Sequence, residues 1–377
     1  MLYRIYKALV GLFWRPDDFA PHSESGFEGY YSRVQLDDGA TLAIIFCWVK
    51  DAKERTNLVH VSYTPRHGKA QTTRPVGGAV EAFKTEFFPG RRSVHVHPAL
   101  SDHRVPFSVS MQGVGSMRVG AEMVEYKVSV PDANLQVDLT LTNRVPWWQR
   151  DVLSGPMGFL SRLSPLLPLN WHVYSTASSA ACTISHNGRK RHATGVAHTE
   201  KNWGTSFPPG WIWSQSFGNA KAARSLSLAG GEALPGVEAY LIGYRSSKLA
   251  WDFTPPFAVA VGPISPFMTV RRDSAAGTID LVVSTFTKKL AMNMSAPPDS
   301  FMGIAAPLKD GHRPMFAFES FQARTRVQAW ERRWPWQKWT LVEEGECGVS
   351  DDGSPCSALE FGGSYSHHVR DGSARSR

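Results

Sequence analysis

The sequence has no Cys-x-x-Cys pair and no cysteine–histidine run with zinc-ligand spacing; its four cysteines, Cys47, Cys182, Cys347 and Cys356, are scattered over 377 residues. This argues against a dithiol redox motif and a structural zinc module. With no signal peptide in view, reduced thiols are expected, although Cys347 and Cys356 flank a turn and could pair. There is no glycine-rich phosphate loop, no Gly-x-Ser-x-Gly elbow, no helical repeat and no βαβ alternation, so nucleotide-binding and α/β-hydrolase folds have nothing to stand on. Basic residues do not cluster either. Beyond Gly188-Arg189-Lys190-Arg191-His192, which reads as a solvated hairpin end, no Lys/Arg run appears, and the net charge of +8 is dispersed. Nucleic acid is therefore not an expected partner. The charge suits a soluble basic protein or attraction to an anionic membrane surface.

Long apolar runs are also missing. The N-terminal "MLYRIYKALVGLFWRP" is apolar but carries Arg4, Lys7 and Arg15, has no small-residue cleavage site and is too short to span a bilayer. Residues 1–25 thus read as an apolar, basic segment that packs as a core helix or lies in a membrane interface. With no signal or transit peptide, a cytoplasmic protein with peripheral membrane contact is expected.

Aromatic residues and strand patterns are abundant. Thirteen Trp and twenty Phe exceed what a core needs, which points to an aromatic-lined cavity. From "FEGYYSRVQLDDGATLAIIFCWV", a hairpin signal around Asp38-Gly39, to "LQVDLTLTN", period-two alternation fills residues 27 to 143. "VPWWQRDVLSGPMGFLSRLSPLLPLN" then breaks the pattern with Pro and Leu, after which strands resume, with a turn at Asn187-Gly188. The fold class is mainly β: two barrel or sandwich domains with few short helices. Residues 26–144 form the first domain, 145–170 a Pro/Leu-rich linker, 171–365 the second domain and 366–377 a disordered tail.

The stretch "HTEKNWGTSFPPGWIWSQSF" sets charge beside tryptophan. Glu200, Lys201 and Asn202 are open to two readings: a turn with Glu and Lys in water, or a buried charge set at a barrel mouth with Trp203 as wall. In "WIWSQ", Trp211, Trp213 and Gln215 share one strand face, Ile212 and Ser214 the other. Asp252 stands between Trp251 and Phe253; aromatic burial would favour its protonated form, while a turn-capping role before Thr254-Pro255-Pro256 is the alternative. In "FEGYY", Glu28 and Tyr30 share a face, with Tyr31 adjacent; they could equally be an edge-strand Glu with packed Tyr. His95 and His97 share a face near His103, but the third histidine lies across an unknown turn, and no metal site is assigned.

Several of these stretches together resemble the tocopherol cyclase family: "FEGYYSRV", "GPMGFLSRLSPLLPLNWHVYS", "HTEKNWGTSFPPGWIWSQSF", "AYLIGYR" with "WDFTPP", and "VQAWER" with "ALEFGG", in the family's order. Tyr30 stands where the family usually has Trp. The resemblance implies lipocalin-like double β-barrels and an enzyme, an intramolecular lyase or isomerase, that closes a chromanol ring on a prenylated (phytyl) hydroquinone. No cofactor is implied.

That chemistry needs an acid to protonate a trisubstituted alkene. It also needs aromatic faces to shelter the tertiary cation, each contributing about 0.5–2 kcal/mol, and a phenol oxygen held close enough to capture it. The catalytic candidates are Glu200, Asp252 and Lys201, with Asp252 or Glu200 as acid. The substrate-binding candidates are Asn202, Trp203, Trp211, Trp213, Gln215, Glu28, Tyr30, Tyr31 and His172. Lys201 and Asn202 would orient the hydroquinone, and Trp203 and Trp213 would face the cation. Two alternatives stay open: cyclisation of another prenyl or terpenoid substrate in secondary metabolism, and a non-catalytic lipid or prenylquinone carrier.

Overall fold

A computed structural model describes residues 18–66, 80–90, 94–97, 107–120, 122–151, 154–218, 223–262, 265–350 and 352–369. It is mainly β, as the alternation predicts, with two curled half-barrel sheets and short 3-10 turns.

The first sheet is built from β1 (Phe27–Leu36), β2 (Thr41–Val49), β3 (Asn57–Thr64), β4 (Phe83–Phe87), β5 (Val94–His97), β6 (Phe107–Met111), β7 (Gly115–Val119), β8 (Val124–Val130), β9 (Leu135–Thr142), β10 (Leu169–His186) and β11 (Arg189–Gly204). Their order is β4-β3-β2-β1-β11-β10-β9-β8-β7-β6-β5, with antiparallel neighbours. The β1–β2 hairpin turns at Asp38-Gly39, where Gly39 has φ +86°, a value glycine adopts without strain. The concave face collects Tyr30, Val34, Leu42, Phe46, Val61, Val109, Tyr126, Val137 and Tyr174 into one apolar core.

The second sheet comprises β12 (Gly210–Ser216), β13 (Ser225–Leu234), β14 (Val237–Arg245), β15 (Ala250–Phe253), β16 (Val259–Ala260), β17 (Met268–Asp273), β18 (Thr278–Ser284), β19 (Lys288–Ser295), β20 (Met302–Leu308), β21 (Gly311–Glu331), β22 (Thr340–Cys347) and β23 (Ser357–Gly363). Its main path runs β15-β14-β13-β12-β23-β21-β19-β18-β17. Its core gathers Ile212, Leu228, Tyr240, Trp251, Leu281, Met292, Phe301 and Phe361.

The expected domain limits need correction. The compact units are Met1–Phe207 with Pro307–Arg313, and Pro208–Ala306 with Pro314–Arg377. Residues 145–170 therefore lie inside the first unit, and β10 and β11, expected to open a second domain, belong to the first sheet. The reason is pairing. β10 pairs with β9 on one side and β11 on the other, and β11 returns to β1, so the Pro/Leu-rich stretch is a long connection within one sheet. It carries a 3-10 turn at Gly158–Leu166 that includes Pro165.

All four cysteines are unbridged and buried, Cys347 and Cys356 included. Among the described residues no helix is long and apolar enough to cross a membrane. The N-terminal segment before Asp18 and most of the expected tail lie outside the described residues.

Candidate functional site

β1 and β11 run side by side, pairing Glu28 with Trp203, Tyr30 with Lys201, Tyr31 with Glu200 and Arg33 with His198. Side chains alternate across a strand, so residues adjacent in sequence fall on opposite faces. The polar run Glu200-Lys201-Asn202 is divided accordingly. Lys201 and Trp203 point to the core side with Glu28 and Tyr30, whereas Glu200 and Asn202 point to the other face with Tyr31, Arg33 and His198.

On the core side, Lys201 and Glu28 form an ion pair of 2.9 Å with both side chains fully buried. Glu28 also accepts from the His22 backbone N–H at 2.7 Å and from the Tyr30 hydroxyl at 3.1 Å. Lys201 Nζ donates to the Ala20 carbonyl and lies 3.1 Å from His22 Nδ1. Trp203 closes the cluster: the His22 ring stacks on it at 4.2 Å, and Lys201 Nζ sits 4.8 Å from its centroid. Burial by itself would raise the Glu28 carboxyl, but the Lys201 ammonium and the contacts from His22 outweigh it and hold the group at about 2. Glu28 is thus ionised at neutral pH and has no proton to give. Burial, reinforced by the Glu28 charge, pushes the Tyr30 hydroxyl well above the ordinary tyrosine range, which keeps it a donor.

His172 pairs with Lys201 in the β10–β11 ladder and meets Tyr174 edge-on at 5.1 Å. Gly155 makes room for its ring: a Cβ there would stand 2.8 Å from His172 Nδ1.

The opposite face holds a second polar set. His198 Nε2 lies 2.8 Å from Glu200 Oε2, with side chains 0% and 3% exposed. Arg33, the register partner of His198, is also fully buried. Asn202 and Tyr31 are half-buried on the same face. Charged groups survive burial only when compensated, and a carboxyl, an imidazole and a guanidinium gathered on one sheet face, away from the core of their own unit, make it a candidate site.

The remaining expected residues lie in the second unit. Trp211, Trp213 and Gln215 share the β12 face that looks away from the core, while Ile212 packs inside, as the alternation predicts. Trp211 Nε1 donates to Glu360, and its indole lies over Gly362, where a Cβ would come within 1.8 Å of the ring. Asp252 departs from its expected surroundings. Trp251 and Phe253 turn into the core, and by the same alternation Asp252 turns away from them. It forms a 2.7 Å ion pair with Arg245 and remains partly exposed. Its neighbour is a guanidinium, not two aromatic faces, and it sits in a different unit from Glu200.

The sequence reading missed His22, Arg33 and His198. The last had a signal: in "AHTE" it stands two residues before Glu200, hence on the same face of any strand. Arg33 follows Tyr31 by the same spacing. His22 had none, since it reaches the cluster from an irregular segment through tertiary contacts. Two cavities of about 550 and 750 Å³ in the second unit are lined by charged residues and include none of the expected site residues. No group of three His, Cys, Asp or Glu side chains able to hold a metal occurs among the described residues; His103 lies outside them.

Comparison with known proteins gives this geometry a context. The model of the tocopherol cyclase-like family matches residues 123–363, from the start of β8 to the end of β23. The chain belongs to the tocopherol cyclase-like family. It is 24% identical over 209 residues to a probable tocopherol cyclase, chloroplastic, of Oryza sativa subsp. japonica, a match that covers 53% of this chain and 40% of the rice protein. The chain therefore spans less than half the length of that relative. Among solved structures it resembles CghA, with 10% identity, TM-score 0.54 and coverage of 91% of this chain and 90% of that one. It also resembles an AttH candidate of Nitrosomonas europaea, with 11% identity, TM-score 0.50 and coverage of 93% and 96%. At such identities these structures speak for the fold alone, one of paired lipocalin-like half-barrels. The family match includes His198, Glu200, Lys201 and Trp203, whereas Glu28, Tyr30, Tyr31 and Arg33 precede it.

Proposed function

We propose that this protein is a cyclase that closes a chromanol-type ring on a prenylated hydroquinone. The observation that carries the reading is the buried His198–Glu200 pair at 2.8 Å, in the strand that also bears the Glu-Lys-Asn-Trp-Gly motif inside the family match. His198 holds Glu200 Oε2 at 2.8 Å and fixes its carboxyl on β11, so Glu200 is assigned the proton transfer and His198 is the positioning residue.

The step balances without a cofactor. The Glu200 carboxyl transfers its proton to one carbon of the prenyl alkene, forming a C–H bond and leaving a tertiary cation on the other. The phenol oxygen attacks that cation, forms the C–O bond and loses its proton to the Glu200 carboxylate. Substrate and product have the same composition, so the reaction is an isomerisation. Asn202, half-buried on the same face, suits the orientation of a hydroxyl group. Lys201 is assigned a different part from the one expected of it: it neutralises Glu28 and fixes β11 against β1 and the Phe19–Ala20 backbone, and so holds the strand that carries the acid.

The test is incubation with prenylated hydroquinones of several tail lengths, with products separated by chromatography and assigned by NMR, since mass is unchanged. Conversion of any tail to the ring-closed isomer supports the reading. Tight binding of every tail without conversion would favour a carrier.

A further inference from the structure

The hairpin joining β21 to β22 carries the run Trp330-Glu331-Arg332-Arg333-Trp334-Pro335-Trp336-Gln337-Lys338-Trp339. Its tip is a well-defined turn. The Gln337 N–H donates to the Trp334 carbonyl at 3.0 Å, the Gln337 side-chain oxygen accepts from the Trp334 N–H at 3.1 Å, and Pro335 fixes φ at the second position. The turn stacks the Trp334 and Trp336 rings with centroids 5.4 Å apart and holds them in solvent, 47% and 78% exposed. Such display works against folding, because two large apolar side chains are ordered but left wet.

A second turn stands beside it. Phe286, before β19, is 54% exposed and packs edge-to-face on Phe257 and Phe267 at 5.5 and 5.4 Å. Arg332 ties the turns together, its Nε donating to the Phe286 carbonyl and its backbone N–H to the Thr287 carbonyl, at 2.7 and 3.0 Å. Cations crowd the site. Lys288, Lys289, Arg332, Arg333 and Lys338 face one carboxylate, Glu331, within these two segments. Lys288, Arg332, Arg333 and Lys338 line a cavity of about 750 Å³. The less exposed Trp339 lies under Arg332 at 4.0 Å, leaving the exposed indoles to the exterior.

We infer that this double turn is a docking surface for a lipid bilayer with anionic headgroups. Trp334, Trp336 and Phe286 enter the boundary between headgroups and acyl chains, and the flanking Lys and Arg side chains meet the phosphates. Indole rings favour that boundary, and cations near a negatively charged leaflet are drawn to it. An apolar tip flanked by cations matches the order of chemistry from hydrocarbon to headgroup. This surface is distinct from the N-terminal segment that the sequence alone suggested, and it does not rest on the cyclase reading.

The test is flotation of the full-length protein with vesicles of phosphatidylcholine alone and of phosphatidylcholine with about one-third phosphatidylglycerol, at low and high salt. The protein should float with the anionic vesicles at low salt and not with the neutral ones. The paired substitutions Trp334→Ser/Trp336→Ser and Arg333→Glu/Lys338→Glu should each lower partitioning about tenfold, with far-UV circular dichroism unchanged. Phe159→Ser/Leu166→Ser, which removes the exposed apolar residues of the Pro/Leu-rich segment, should leave binding near wild type. The inference is overturned if the wild type does not float, if both tip variants float as it does, or if only the Phe159/Leu166 variant is impaired. Retention on single-stranded DNA that the tip variants abolish, without vesicle binding, would also overturn it and assign the surface to nucleic acid.

Discussion

His198 and Glu200, two residues apart on β11, join their side chains at 2.8 Å on the sheet face opposite the Lys201–Glu28 ion pair. The alternation of one strand thus gives a single polar motif two separate tasks.

If His198 serves by holding and polarising Glu200, its effect depends on the N–H it offers. His198→Gln retains one donor and should cost roughly 10–100-fold in turnover; His198→Ala should cost more, toward 10³-fold. Steady-state kinetics on a prenylhydroquinone substrate reads this out. A purely structural role would lower the melting temperature of both variants without separating their turnover numbers.

The Glu28–Lys201 pair makes a prediction about stability. Removing one member strands a buried charge, so Lys201→Met should cost about 3–5 kcal/mol in urea unfolding. Replacing both, as Glu28→Gln/Lys201→Met, removes the stranded charge and should recover most of that loss. Non-additivity of this kind is measured by a double-mutant cycle.

Acid stability should fall in two windows. Burial pulls the His312 imidazole from its ordinary 6.5 down to about 4, against the opposing hydrogen bond to the Arg55 carbonyl. A depressed group stabilises the fold above its unfolded value and loses that contribution as pH falls through the folded one. His312 should therefore act between pH 6.5 and 4, and Glu28, held at about 2 against an ordinary 4.5, between 4.5 and 2. Denaturant unfolding across pH should show His312→Asn flattening only the upper window and Glu28→Gln/Lys201→Met only the lower.

Trp211 and Gly362 are matched in shape. Because a Cβ at residue 362 would stand 1.8 Å from the indole, Gly362→Ala should destabilise by about 1–3 kcal/mol. Trp211→Phe in the same chain should relieve part of it, measurable as a partial recovery of Tm.

Legibility from sequence followed the range of the interactions involved. Strand positions and the faces of β1 and β12 could be read because period-two alternation is local; Ile212 in the core cluster with Trp211 and Trp213 on the opposite strand face is the plainest case. The domain limit could not, because a break in composition at residues 145–170 marks a connection, and only the pairing of β11 with β1 shows that the sheet continues through it. Alternation could also have separated Glu200 from Lys201 and turned Asp252 away from Trp251 and Phe253; charge and aromatic proximity in sequence hid it. His22 was beyond reach, since its contacts with Glu28 and Trp203 are tertiary.

The central claim, that Glu200 protonates the alkene, is tested most directly by running the cyclisation in D₂O with wild type and Glu200→Gln. The account predicts one non-exchangeable deuterium in the wild-type product, on the former alkene carbon that does not bond to oxygen, and turnover lowered about 10²–10⁴-fold in the variant. Near wild-type turnover by Glu200→Gln, or a product with no carbon-bound deuterium, would contradict it.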